Sequence, residues 1–151
     1  MRLPRLPSAT LLLLVIGCNN QTFELSVTNK TDRPLTIGVV KDGPPYEVDL
    51  ASPGELAVDT RLDTLPPWGH LIPPGRTIDS GKVTGTFPSG TRAYLRVYSG
   101  EHSNAELIAI GEPSYDRIDV LLFPGRNDFI IENDLKNGMI AKRLNPTPAP
   151  R

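Results

Sequence analysis

The chain has one cysteine, one tryptophan and two histidines in 151 residues. A single thiol cannot form an intrachain disulfide, and one thiol with two imidazoles cannot supply a four-ligand Cys/His zinc set. Charge of one sign is missing as well. Sixteen basic and seventeen acidic residues leave a formal net charge of -1, which excludes the basic field expected of a nucleic-acid partner. No G-x-S-x-G elbow, H-E-x-x-H helix or G-x-x-x-x-G-K-[ST] phosphate loop occurs. A Ser-His-Asp set, recognised by geometry and not by spacing, is the one nucleophilic arrangement the composition leaves open. The reading is therefore a non-enzymatic protein with no cofactor and no metal. The longest apolar run, Leu11 to Ile16, is also too short for a membrane-spanning helix of ~20 residues.

What the chain does have is punctuation. Sixteen prolines and thirteen glycines separate short apolar runs and argue against a helical protein. Phe23-Glu24-Leu25-Ser26-Val27 and Leu35-Thr36-Ile37-Gly38-Val39 alternate apolar and polar, as half-buried strands do, and together suggest a hairpin. Further strands are expected over 77–87 (long or broken), 93–98, 106–110, 118–123 and 129–131. Asn137-Gly138 predicts a two-residue type I′ turn that sets Leu135 opposite Ile140, Ile131 opposite Leu144 and Glu132 opposite Arg143. Residues 42–67 carry five prolines and read as a long excursion with one short helical turn near 55–58. The expected fold is all-β, a single sandwich of about 7–9 short antiparallel strands, with a small barrel as the alternative.

The N-terminus follows another plan. Arg2 and Arg5 precede the apolar run from Leu11, and small Gly17 precedes Cys18, the order of a secretory signal peptide. Val15-Ile16-Gly17-Cys18 resembles the lipobox of bacterial lipoproteins. The resemblance implies a diacylglyceryl group on the Cys18 thiol, cleavage between Gly17 and Cys18, and acylation of the new amine with a fatty acid such as palmitate. Several acyl chains give stable anchoring, since each buried methylene contributes ~0.8 kcal/mol. It further implies a cell-envelope location, with Asn19 permitting the outer membrane, and a membrane contact through the lipid. The expected organisation is a signal peptide over 1–17, a lipidated Cys18 with a short tether over 18–21, a sandwich over 22–144 and a disordered tail over 145–151. The sandwich broadly resembles immunoglobulin-like modules of bacterial surface proteins, although the Cys…Trp…Cys hallmark is absent.

Three stretches are candidate binding sites, two for an envelope protein or a glycan and one for calcium. Pro66-Pro67-Trp68-Gly69-His70 places the only tryptophan beside a histidine. An indole framed by prolines can anchor a partner or stack on a sugar, and it can equally cap one end of the core, which is the expectation here. Tyr94 and Tyr98 share one strand face with Arg92 and Arg96, a strip suited to cation–π recognition or simply the outer face of a strand. Asp42, Glu47, Asp49, Glu55, Asp59 and Asp63 crowd the excursion, but without the spacing of a calcium loop they read as solvated. The expected function is binding or assembly. A carbohydrate- or metal-binding accessory domain, or an enzyme using Trp68 and His70, is the alternative.

Overall fold

The computed structural model describes residues 19–58, 60–110 and 117–145. Cys18 and its signal, Asp59, the Gly111-Glu112-Pro113-Ser114 turn and the tail from Pro146 lie outside the described residues. Among the described residues nine strands form two packed sheets, the expected all-β sandwich. In the first sheet, β1 (Asn19–Asn29) pairs along one stretch with β4 (Thr77–Asp79) and along another with β5 (Val83–Phe87). The sheet continues through β8 (Gly125–Asp134) to β9 (Gly138–Arg143). The second sheet has the order β3 (His70–Ile72), β2 (Leu35–Lys41), β6 (Ala93–Ser99), β7 (Arg117–Leu121). Pairing is antiparallel except between β1 and β8, which run parallel from Phe23–Gly125 to Asn29–Ile131 and correct the all-antiparallel expectation.

Alternation holds the sheets together. Phe23, Leu25 and Val27, with Phe129 and Ile131 of the same sheet, face Leu35, Ile37, Val39, Leu95 and Val97 across one core, all buried. The outer face of the second sheet is covered too. There Thr36, Val40 and Tyr98 are buried under the 42–69 excursion and α2 (Asn104–Ile110), whose Leu107 is buried as well.

Several local expectations are overturned. β1 and β2 are not a hairpin but belong to different sheets. The turn between them is built on fully buried Asn29, whose Nδ2 donates to Arg33 O and Ile72 O at 2.8 Å each while Oδ1 accepts from Thr31 N at 2.9 Å. That Asx turn sends the chain across the core instead of back along the same sheet. Residues 106–110 are helical, not extended. Ser103 and Glu106 exchange backbone bonds, Ser103 N to Glu106 Oε2 at 2.7 Å and Glu106 N to Ser103 Oγ at 3.4 Å, a capping box that starts α2. The same device, Ser52 with Glu55, starts α1 (Pro53–Leu56), close to where a helical turn was expected.

The last hairpin keeps its place and changes its register. Asp134 pairs with Gly138 across a loop of Leu135, Lys136 and Asn137, and only Gly138 has positive φ (75°). A type I′ turn needs two such residues, so a three-residue loop forms instead. Glu132 now lies opposite Ile140, and Phe129 opposite Arg143. Met139 is buried in place of Ile140, while Leu135 and Leu144 stand in solvent. Two domain boundaries move as well. Gln21 and its two predecessors form the start of β1 and not a tether, and Asn145 joins the fold by donating to Asp128 Oδ2 at 2.6 Å.

Candidate functional site

One long side of the sandwich is left open. On the second sheet, β3 is three residues long and covers β2 only from Leu35 to Ile37. On the first sheet, the expected long strand over 77–87 is broken at Ser80-Gly81-Lys82, where Ser80 N and Oγ bond the Leu25 backbone in place of a ladder. Between these interruptions lies a groove of about 420 Å³. Its floor is Leu25, Ile37 and Val39, side chains of the core itself, and its walls include Trp68, His70 and Lys82.

Backbone polarity adds to the groove. Pro34 O accepts from Gly100 N and Asp42 N donates to Arg92 O, so even-numbered residues of β2 direct their backbone groups toward β6. Odd-numbered ones point to the other edge, since N–H and C=O directions alternate along a strand. β3 lies opposite Leu35 and Ile37 and has ended before Val39. The Val39 N–H and C=O therefore face the groove edge with no strand residue opposite them, as an edge strand offers them to an incoming chain.

The excursion builds the rest. Leu50, in a short 3-10 turn over Val48–Leu50, is 1% exposed and belongs to the core. It lies where Gly85 has no side chain, since a Cβ there would come within 2.1 Å of Leu50 Cδ1. Glu47 accepts from Thr86 N at 2.9 Å and from the buried Lys41 Nζ at 2.8 Å, and the ammonium also donates to Thr86 O at 2.8 Å. The Lys41 hydrogen bond is the main reason the Glu47 carboxyl is held below its ordinary range, burial acting in the opposite direction. The far end of the excursion is fixed by Trp68. Its ring lies on Gly38 of β2, where a Cβ would meet Cζ2 at 2.2 Å, and Nε1 donates to Ala51 O at 3.0 Å.

Trp68 thus does not cap the core. It is half-buried on the outer face of the second sheet, edge-on to Tyr98 at 5.9 Å and 75°, with one border forming the groove wall. His70 is exposed at the start of β3 and lines the same groove, so the structure unites this candidate pair. The tyrosine strip is not united. Tyr98 is 2% exposed beneath Trp68 and His102, a correction to its reading as a surface residue. Arg96 is held by both oxygens of Asp119, directly opposite on β7, at 2.9 and 3.1 Å, and is not free for an aromatic ligand. Burial pushes the Asp119 carboxyl up, and hydrogen bonds from Arg117 and Arg96 outweigh it and hold it low. Tyr94 lies with Arg96 and Asp119 in a separate, smaller recess.

The acids of the excursion are dispersed. Glu47 binds Lys41, Glu55 caps α1 and Asp42 accepts from Arg92 N. Among the described residues no three His, Cys, Asp or Glu side chains gather as a metal set. Sequence reasoning missed Gly38, Gly85 and Val39. The two glycines carried a signal, each standing inside an alternating strand where a side chain is normal. Val39 carried none, because the length of β3 decides its exposure.

Fold and groove define a class, a β-sandwich with a cleft in one side. Compared with known proteins, the chain matches no family model and no curated protein sequence significantly.

Proposed function

We propose that the protein is a non-enzymatic, lipid-anchored binding module of the bacterial cell envelope, held in the outer membrane by acyl chains on Cys18. The groove beside Trp68 and His70 receives a segment of an envelope protein. One observation carries this reading: buried core side chains and the unopposed Val39 backbone line one and the same cleft. Apolar floor and polar edge suit a peptide, whose side chain enters the groove while its backbone bonds Val39. Trp68, tied at Nε1 and flat on Gly38, is a fixed wall for such a side chain.

The test places a photoreactive amino acid at His70, on the groove rim, or at Lys142, on β9. Illumination of intact envelopes is expected to give a discrete protein adduct from His70 and none from Lys142. Titration of the identified partner is then expected to shift Trp68 emission. Adducts from both positions, or a partner that leaves Trp68 emission unchanged, would refute the groove. The anchor is tested apart: Cys18→Ser is expected to abolish acyl incorporation and processing.

A further inference from the structure

The first strand begins one residue after the lipobox cysteine. Asn19 pairs with Phe87 and Asn20 with Thr86, so no flexible spacer follows the anchor. Asn19, the residue after Cys18 in the sequence, sits at the corner of the sheet. Two loops share that end. Gly43 lies against Thr91, with a Cβ position 3.2 Å from Thr91 Cγ2, and Asp42 N donates to Arg92 O at 3.1 Å. Glu47 bonds Thr86 N at 2.9 Å, fixing its neighbour Tyr46 beside the strand start. Tyr46 is 63% exposed although its ring has no packing role in the core.

We infer that this end of the sandwich, formed by Asn19, the loop over 42–46 and the turn over 88–91, rests on the bilayer surface. The inference rests on the anchor reading of Cys18. Acyl chains buried in the membrane hold Cys18 at the headgroups, and the paired strand leaves the domain no slack to rise from them. Tyr46 then lies at the depth where an apolar ring with a polar tip is favoured. Of the carboxylates at this end, Glu47 is neutralised by Lys41, and Asp42 is tied to the Arg92 backbone N–H. The far part of the groove stands clear of the lipid, while Val39 is three residues from Asp42, about 10 Å at a strand rise of about 3.3 Å per residue. Leu25, on its floor, is six residues beyond Asn19, about 20 Å at a strand rise of about 3.3 Å per residue. The cleft thus opens sideways above the membrane.

The experiment uses the full lipidated chain in vesicles of phosphatidylethanolamine and phosphatidylglycerol. Tyr46→Cys, Ser89→Cys or Lys136→Cys supplies one free thiol for a fluorophore, since Cys18 is consumed as a thioether. Lys136 lies in the β8–β9 loop, past the far end of β1. Headgroup spin-labelled lipid is expected to quench positions 46 and 89 at least threefold more than position 136. A fifteen-residue Asn-Gly-Ser spacer inserted between Cys18 and Asn19 is expected to erase most of that difference. Equal quenching at all three positions, or strongest quenching at 136, overturns the orientation if mass spectrometry finds the acyl groups on Cys18. If it finds none, the anchor itself falls and the orientation with it.

Discussion

Along β7 and β9 the sandwich is closed by an arginine, whereas along β3 and the β4–β5 break it stands open beside a tryptophan. On the closed side Arg143 reaches between the sheets. It donates to Asn127 Oδ1 at 2.6 Å and to Leu121 O, and its guanidinium stacks on Phe123 and Phe129 at 4.8 and 4.6 Å. Asn127, fully buried, bonds the Phe123 N–H and C=O and Gly125 O. Among the described residues no buried side-chain polar atom at that seam lacks a partner. On the open side the strands stop early, and Val39 is left facing a cleft. A sandwich can thus leave a cleft beside its core at one edge while the other is sealed by satisfied polar groups.

Breaking the seal is expected to have the largest effect. Asn127→Ala strands Arg143 and three backbone groups, a loss of about 3 kcal/mol in denaturant titration. Trp68→Ala is next. A buried aromatic truncated to Ala costs about 3–5 kcal/mol, and this half-buried ring is expected to cost about 2. Gly38→Val displaces the same ring from the sheet without removing it. A loss of about 1–2 kcal/mol is expected, with a red shift of Trp68 emission that distinguishes displacement from simple destabilisation.

Acid comes below these. Asp119 and Glu47 are held below their ordinary pKa in the folded state, so the unfolded chain binds protons first as pH falls. Their contribution is complete above the unfolded values near about 4 and is lost as pH drops through the lower folded values. Thermal stability is expected to be level from about pH 7 to pH 5 and to decline below about pH 4. The Arg96–Asp119 pair is partly exposed, so Asp119→Asn is expected to remove only on the order of 0.5–1 kcal/mol of that decline. Leu135→Ser is the smallest change, within about 0.5 kcal/mol, because the loop places that side chain wholly in solvent.

The contrast between the two sides also marks what the sequence made legible. Alternation in β1, β2 and β6 identified the core face residue by residue, because a period of two cannot be satisfied any other way against one apolar layer. The same alternation placed Tyr94, Arg96 and Tyr98 together on the outer face, correctly. It could not show that the face is covered, since that depends on where a distant excursion lands. Leu50 and Trp68 decide that landing, and each meets a glycine far from it in the chain. The last hairpin failed for a local reason: Asn-Gly favours a two-residue turn, but Met139 facing the core requires the other register. The Trp68–His70 pair was legible as a candidate because rare residues stood together, and both line the groove. The Arg143 seal was not, for an arginine in an alternating strand looks like any solvated one.

The central claim, that the open side is the binding side, is tested most directly by amide NMR of residues 19–151 titrated with a small apolar probe, phenol. The account predicts that shifts concentrate on Ile37, Val39, His70 and the Trp68 indole N–H, and that residues of β7 and β9 stay in place. Shifts centred on β7 and β9, or spread evenly over the molecule, would contradict it.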